Sequence, residues 1–295
     1  MSPKTHDVVV VGGGPAGCSA GVFTARYGLQ TLIYDRGRSS IQRCAHLENY
    51  LGFPAGIDIE TFYDLIHDHA NESGCEIRSD MVTSIKRAEN DDGFIVEPQE
   101  GDNVIAKRVI AATRYSGEYL RPLGGAEMFE THEHGGEEHE HFDHDYPDDD
   151  GRTPIENLYV ATPSDDDVQA IVAAGHGGQV ARRLIHDVRL ATGFPEEFTE
   201  HHDWVRRQAE LDEEWEDRDR WREFFDERVP EDHDFDPDTL TEIREAEIDR
   251  RLGTYVETEA IERRKEQAQK RLLDHIDDEL IREHAEKLDA PEAIE

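Results

Sequence analysis

Basic charge is what this sequence of 295 residues most lacks. Against 69 Asp and Glu it carries 32 Lys and Arg, a net charge of −37, and only 6 of the 32 are Lys. Phosphate-backbone binding rests on clustered Lys and Arg, and so does docking on anionic membranes. Nucleic acid and membrane are therefore not expected as partners. Cysteine is scarce as well: Cys18, Cys44 and Cys75, an odd number with no C-x-x-C. That argues against a disulfide framework and excludes a zinc ribbon. No apolar run approaches the roughly 18–20 residues of a spanning helix, and the polar start, residues 1–7, lacks a signal-peptide layout. The expectation is a soluble, cytoplasmic chain.

The acid-rich, Lys-poor balance is similar to that of proteins from salt-accumulating halophiles. At about 1 M salt the Debye length falls to about 3 Å, which screens repulsion among surface carboxylates; in dilute buffer the same repulsion opposes compaction.

The first 125 residues read as α/β. Val8 to Val11 form an apolar run ending in glycines, as a buried parallel strand does. A helix over 16–27, closed by Gly28, and a strand over 30–34 follow. A helix over 61–73 and four short strand patterns, some in a meander, complete this part. Residues 131–150 hold five His and nine acids, a composition that predicts a surface loop over 126–150. His132 with His134, and His139 with His141, have the chemistry of Zn²⁺, Ni²⁺ or Cu²⁺ ligands. A flexible loop is not a preformed site, so no metal centre is expected. A strand at 157–161 and a helix over about 167–192 restore order. From 196 to 295 there are 36 acids and 16 bases, strand patterns vanish, and Trp204, Trp215, Trp221, Phe224 and Phe225 recur at helical intervals as packing residues. The predicted fold class is α/β: one Rossmann-like domain, a parallel sheet plus a small meander, in segments 1–125 and 151–193. An acidic extension of three or four amphipathic helices follows over 194–295.

Strand, G-x-G-x-x-G and helix occur in the order that dinucleotide binding requires. Gly12 permits the tight turn, Gly14 lets a pyrophosphate approach the backbone, and Gly17 lets the helix lie on the strand. The positive end of the helix then faces the phosphates. Asp35, 23 residues after Gly12, is placed to accept hydrogen bonds from a ribose.

The motif alone does not separate FAD from NAD. Gly37-Arg38, the segment Glu48-Asn49-Tyr50-Leu51-Gly52-Phe53-Pro54, the strand Val109-Ile110-Ala111-Ala112-Thr113, and residues 157–161 followed by 169–175 together resemble the thioredoxin reductase family of flavoproteins, over about 7–122 and 155–190. The resemblance implies FAD. It implies that Gly12, Gly14, Pro15, Ala16 and Gly17 hold the pyrophosphate and that Asp35 takes the adenosine ribose. Gln42 and Asn49 would lie near the ribityl chain and ring system, with the Val82 backbone at adenine. Ala112 and Thr113 would pass beside the cofactor, and Gln169 and Ala170 would start a helix at the flavin's pyrimidine end.

The sequence also departs from that family. The family inserts an NADPH-binding domain between its two FAD segments; here only about 35 residues separate them, without a second motif in context, since Gly175-His176-Gly177-Gly178 falls inside a predicted helix. The redox C-x-x-C is absent. The family's A-T-G glycine is Arg114, and its late G-D aligns with Thr162-Pro163, near Asp165, Asp166 and Asp167. Cys44 is the candidate redox residue, since Arg43 and a helix start beside it would favour thiolate, and His46 and His176 are candidate proton donors. The expected function is an FAD-dependent oxidoreductase fed by a separate electron-donor protein or a diffusing donor; self-association through the C-terminal helices is the other partner expected. The alternative is a non-catalytic nucleotide-binding scaffold or interaction protein.

Overall fold

The computed structural model describes residues 3–37, 39–88, 93–113, 117–134, 137–161, 169–230 and 235–289. They divide into two units, residues 1–192 with 199–201, and residues 193–198 with 202–295.

The first unit opens with β1 (Thr5–Val11), α1 (Pro15–Arg26) and β2 (Thr31–Tyr34). β1 and β2 pair in parallel, Val10 opposite Ile33, and α1 is the crossover that parallel pairing demands. Val9 and Val11 join one core with Leu32 and Tyr34, whereas Val8, Val10 and Ile33 join another on the opposite face. Burial on both faces is why the run is apolar without alternation.

β3 (His46–Leu47) and β4 (Ile57–Asp58) form an antiparallel pair before α2 (Ile59–Glu72). Asp58 caps α2 by accepting from the Thr61 amide at 2.9 Å. β5 (Glu76–Arg78) returns beside β2, and β6 (Val82–Arg87), β7 (Phe94–Pro98) and β8 (Val104–Ala111) form the meander. The sheet order is β5-β2-β1-β8-β7-β6.

A one-turn helix, α3 (Arg121–Gly124), leads to an antiparallel hairpin of β9 (Phe129–His134) and β10 (Glu137–Phe142). This corrects the surface loop expected over 126–150. Composition argued against order there, but a ribbon needs a core only at its base. Phe142 is buried in the sheet core, with its ring centroid 6.1 Å from that of Phe129. Arg121 lies 3.9 Å over the Phe129 ring and pairs with Glu140 at 2.7 Å.

β11 (Leu158–Val160) pairs in parallel with β8, and α4 (Ala170–Ala191) follows. The second edge of β8 is thus shared, antiparallel to β7 at residues 104–106 and parallel to β11 at 109–111. Gly177 explains how closely α4 lies on α1: a Cβ there would run into the Ala16 carbonyl oxygen.

The second unit is helical. A two-residue strand, β12 (Arg206–Arg207), precedes α5 (Glu213–Glu216), α6 (Arg218–Asp226) and α7 (Pro237–Leu252). β13 (Tyr255–Val256), paired with β12, precedes α8 (Thr258–Leu273) and α9 (Asp278–Asp289). The described residues therefore hold five helices where three or four were expected. The core is small: Phe198, Phe225 and Ile243, with the two rings stacked at 4.0 Å. Trp221 is buried and donates to the Trp215 carbonyl at 2.6 Å, but Trp204 is 59% exposed and packs little. Arginine–carboxylate pairs supply the rest. Hydrogen bonds from Arg222 and then Arg218 hold the Glu245 carboxyl down at about 2, and buried Glu247 accepts from Arg250 and Arg251. Among the described residues no helix is long and apolar enough to cross a membrane.

Candidate functional site

The C-terminal ends of β1, β2 and β8 open onto a cavity of about 450 Å³. It stands where the sheet order turns from β2 on one side of β1 to β8 on the other, the usual place for a ligand in an open α/β sheet.

One wall is the glycine turn. Gly12 has φ +120°, and a Cβ there would stand 2.5 Å from the Ala112 carbonyl oxygen. A Cβ on Gly17 would run into the Gly12 carbonyl, and one on Gly13 into Asp35 Cβ. The sequence reading gave Gly13 no part; in the structure it is what lets the turn lie against Asp35. Gly14 is the N-cap of α1, no side chain caps that helix, and Pro15 fills its first turn. Cys18 is the first amide with a helical partner, the Gly14 carbonyl at 2.9 Å. The Ala16 and Gly17 N–H groups before it are first-turn donors that the helix itself cannot satisfy.

Asp35 follows β2 and is buried. Its Oδ1 accepts from the Gly37 amide at 3.0 Å and its Oδ2 from the Tyr63 hydroxyl at 2.8 Å. His67 Nε2 lies 3.6 Å from Oδ2 and 2.8 Å from the Gly13 carbonyl oxygen. A carbonyl only accepts, so that nitrogen carries a proton. Burial first, then the Asp35 charge, pushes the Tyr63 hydroxyl well above its ordinary value, so it stays a donor. Tyr63 and His67 stand one turn apart on α2, where i and i+4 share a face. Sequence reasoning missed both; the i, i+4 spacing was the available signal.

The remaining wall draws on distant segments. Ser39, Ser40, Ile41, Arg43 and Cys44 line it, as do Val82, Ala112, Thr113, Gln169 and Ala170. Thr113 Oγ1 and the buried Tyr119 hydroxyl are 2.9 Å apart. Asn49 Nδ2 donates to Gln169 Oε1 at 2.7 Å, which joins the segment before β4 to the N-cap of α4. Of the residues singled out in sequence, Gly12, Gly14, Pro15, Ala16, Asp35, Cys44, Val82, Ala112, Thr113, Gln169 and Ala170 border this one cavity. Gly17 stands behind the turn. Gln42 is exposed and is not a lining residue, and neither His46 nor His176 lines the cavity. Arg114, Thr162, Pro163, Asp165, Asp166 and Asp167 lie outside the described residues.

Residues 6–161 match the pyridine nucleotide-disulphide oxidoreductase family. The chain belongs to that family. Its members are FAD-binding flavoproteins, so FAD is the cofactor that membership assigns. The chain is 34% identical over 128 residues to the bifunctional thioredoxin reductase/thioredoxin of Mycobacterium leprae, covering 42% of this chain and 27% of that one. It is 32% identical over 111 residues to an NADH dehydrogenase of Bacillus subtilis, covering 37% and 21%. These matches span about a quarter of the relatives' lengths. The structure of a thioredoxin reductase from Gloeobacter violaceus superposes with a TM-score of 0.51 at 18% identity, over 68% of this chain and 98% of that one. That agreement establishes the Rossmann-like α/β fold.

Within this flavoprotein frame the three thiols differ. Cys18 and Cys75 are buried, which pushes both thiols up, Cys75 to about 12. Cys44 is exposed on the cavity wall. It follows the C-terminal end of a 3-10 turn, Ser40–Arg43, and its amide donates to the Ile41 carbonyl. The helix start expected beside Cys44 is therefore not there: the positive end of the turn is at Ser40, one turn away. Among the described residues no group of three or more His, Cys, Asp or Glu side chains is gathered for a metal ion.

Proposed function

We propose that this chain is an FAD-dependent oxidoreductase of the thioredoxin reductase type. It works without an NADPH domain of its own or a C-x-x-C, and a separate protein or a diffusing donor supplies its reducing equivalents. The observation that carries this is the continuous cavity from the Gly12–Gly17 turn and Asp35 to Gln169, Ala170 and Cys44.

The residues present fit the cofactor. The first-turn amides of α1 and its positive end suit a pyrophosphate. The bare Gly12 and Gly14 backbone allows its approach. Asp35 Oδ1 accepts from the Gly37 amide and Oδ2 from the Tyr63 hydroxyl, and a carboxylate accepts about four hydrogen bonds in all, so acceptor capacity remains for two ribose hydroxyls. Ala112, Thr113 and the Asn49–Gln169 pair would flank the far end, where the α4 N-terminus favours negative charge. FAD, when bound, supplies a two-electron carrier. Cys44 is the exposed thiol on the same wall and the residue we assign to thiol chemistry there. Between β8 and β11 the described residues hold only α3, 3-10 turns and one antiparallel hairpin, which supports the absence of a second βαβ nucleotide unit.

The test is an absorbance spectrum of protein purified in molar KCl, with and without added FAD. Flavin bands at one FAD per chain, abolished by Gly14→Val, are expected. A colourless protein that takes up no FAD overturns the proposal in favour of the non-catalytic scaffold.

A further inference from the structure

Among the described residues of the second unit, α8 has no buried side chain, and neither α8 nor α9 packs along the other or along a further element of that unit. Each nonetheless carries an apolar seam. Ile261, Ala268 and Leu272 recur at i, i+7 and i+11 of α8, and Ile281, Ala285 and Leu288 at i, i+4 and i+7 of α9, spacings that share one helix face. Leu272, Leu273, Ile276, Leu280 and Leu288 are 47–73% exposed. Exposed apolar side chains scattered singly are ordinary, but a contiguous group marks an interaction surface.

The charge beside each seam decides what fits it. α8 holds five Lys and Arg against three Glu, a net of +2 in a chain of net −37. α9 holds five acids against two bases, a net of −3. Residues three and four apart are neighbours on a helix surface. Arg264 and Lys265 stand three and four residues after Ile261 and flank the α8 seam; Asp277 and Asp278 stand four and three residues before Ile281 and flank the α9 seam. One seam thus has a basic rim and the other an acidic rim. Lys265 pairs with Glu262 at 3.3 Å and Asp278 with Arg282 at 3.0 Å. These are exposed pairs within one helix, which contribute little, so they can exchange for partners across an interface.

We propose that two copies of this chain associate through these helices, α8 of one against α9 of the other. The same contact, made twice about a two-fold axis, closes the dimer. At about 1.5 Å per residue α8 and α9 are about 24 and 18 Å long, so the seams match along most of their lengths. A partner must offer α8 an acidic rim and α9 a basic one, each around an apolar seam, and a second copy offers both. The net positive α8 is also where two strongly acidic chains repel each other least. Neither helix lines the cofactor cavity, so the proposal stands apart from the flavin reading.

Sedimentation equilibrium of the full chain in 1 M KCl tests it. That salt screens charges more than about 3 Å apart, which removes the long-range repulsion between copies and leaves rim pairs in contact. A mass of two 33.7 kDa chains is expected. Leu272→Glu with Leu288→Glu should raise the dimer dissociation constant more than about tenfold; both side chains are exposed, so the circular dichroism spectrum stays unchanged. Two further variants each alter one rim. The first is Arg264→Glu with Lys265→Glu. The second is Asp277→Asn with Asp278→Lys, in which Asn keeps the cap that Asp277 provides to the Glu279 amide. Each alone sets like charges against each other at both contacts and should dissociate more than about tenfold more readily, since like-charge juxtaposition is costly at an interface. Mixed one to one, they oppose unlike charges at one contact and keep the wild-type pairing at the other, so a heterodimer should form. A wild type that stays monomeric overturns the proposal, as do rim variants that dimerise as tightly as the wild type. A mixture of the two that stays monomeric overturns it as well.

Discussion

Tyr63→Phe isolates one contact at the cofactor site. The ring stays, packed with Ile41, Leu47, Ile59 and Phe62, and only the donor to Asp35 Oδ2 at 2.8 Å is removed. A hydrogen bond to a charged group contributes about 1.5–3 kcal/mol. Asp35 keeps the Gly37 amide at 3.0 Å, so the lower half of that range is the expectation, a factor of roughly 10 to 40 in the folding equilibrium at about 1.4 kcal/mol per decade. At about 2–4 °C per kcal/mol for a unit of this size, the first unit's melting temperature should fall by about 3–9 °C. Thermal melts in molar KCl measure this. The double-mutant cycle with Asp35→Ala then assigns it, with a coupling of at least about 1 kcal/mol expected between two residues in contact. Strictly additive single mutants, or a Tyr63→Phe melt within 1 °C of wild type, would show that the hydroxyl does not hold Asp35.

At the α1–α4 contact, Gly177→Val drives a Cβ into the Ala16 carbonyl and should cost about 3 kcal/mol, the upper end for overpacking. Gly175→Ala, two residues away with open space around it, should stabilise by about 0.5–1 kcal/mol; urea midpoints read both. Burial alone would raise the Asp187 carboxyl, but hydrogen bonds from Arg152 at 2.5 and 2.9 Å, from Tyr159 at 2.8 Å and from His186 leave it below its ordinary value. A depressed folded value contributes stability above the unfolded value of about 4 that is lost as pH falls through the folded one. Asp187→Asn should therefore lower stability at pH 7 and flatten its loss between pH 5 and 2, followed by melts across that range. Iodoacetamide on the native chain should label Cys44 alone, because Cys18 and Cys75 are buried. Bound FAD should slow that labelling, and mass spectrometry reads both; equal labelling with and without cofactor would remove Cys44 from the flavin's neighbourhood.

Local features were legible in the chain itself. The run Val8–Val11 reads as a buried parallel strand because both of its faces meet a core, and the glycine turn reads from sequence because its constraints, a positive φ at Gly12 and contact between Gly17 and the Gly12 carbonyl, span only six residues. The helices over 16–27, 61–73 and 167–192 were placed to within three residues by periodicity and closing glycines. What depends on distant partners was not legible. The hairpin over 129–142 was hidden behind a polar composition, because its order comes from two phenylalanines and Arg121 at its base. The Tyr63–Asp35 bond joins residues 28 apart, and the Asn49–Gln169 bond residues 120 apart. Gly177 looked like an idle helix glycine until α1 was laid against it. Backbone geometry within a turn is set by the residues of that turn, whereas cross-strand register, a second donor on a carboxylate and the room between two helices exist only once the sheet has brought separate segments together.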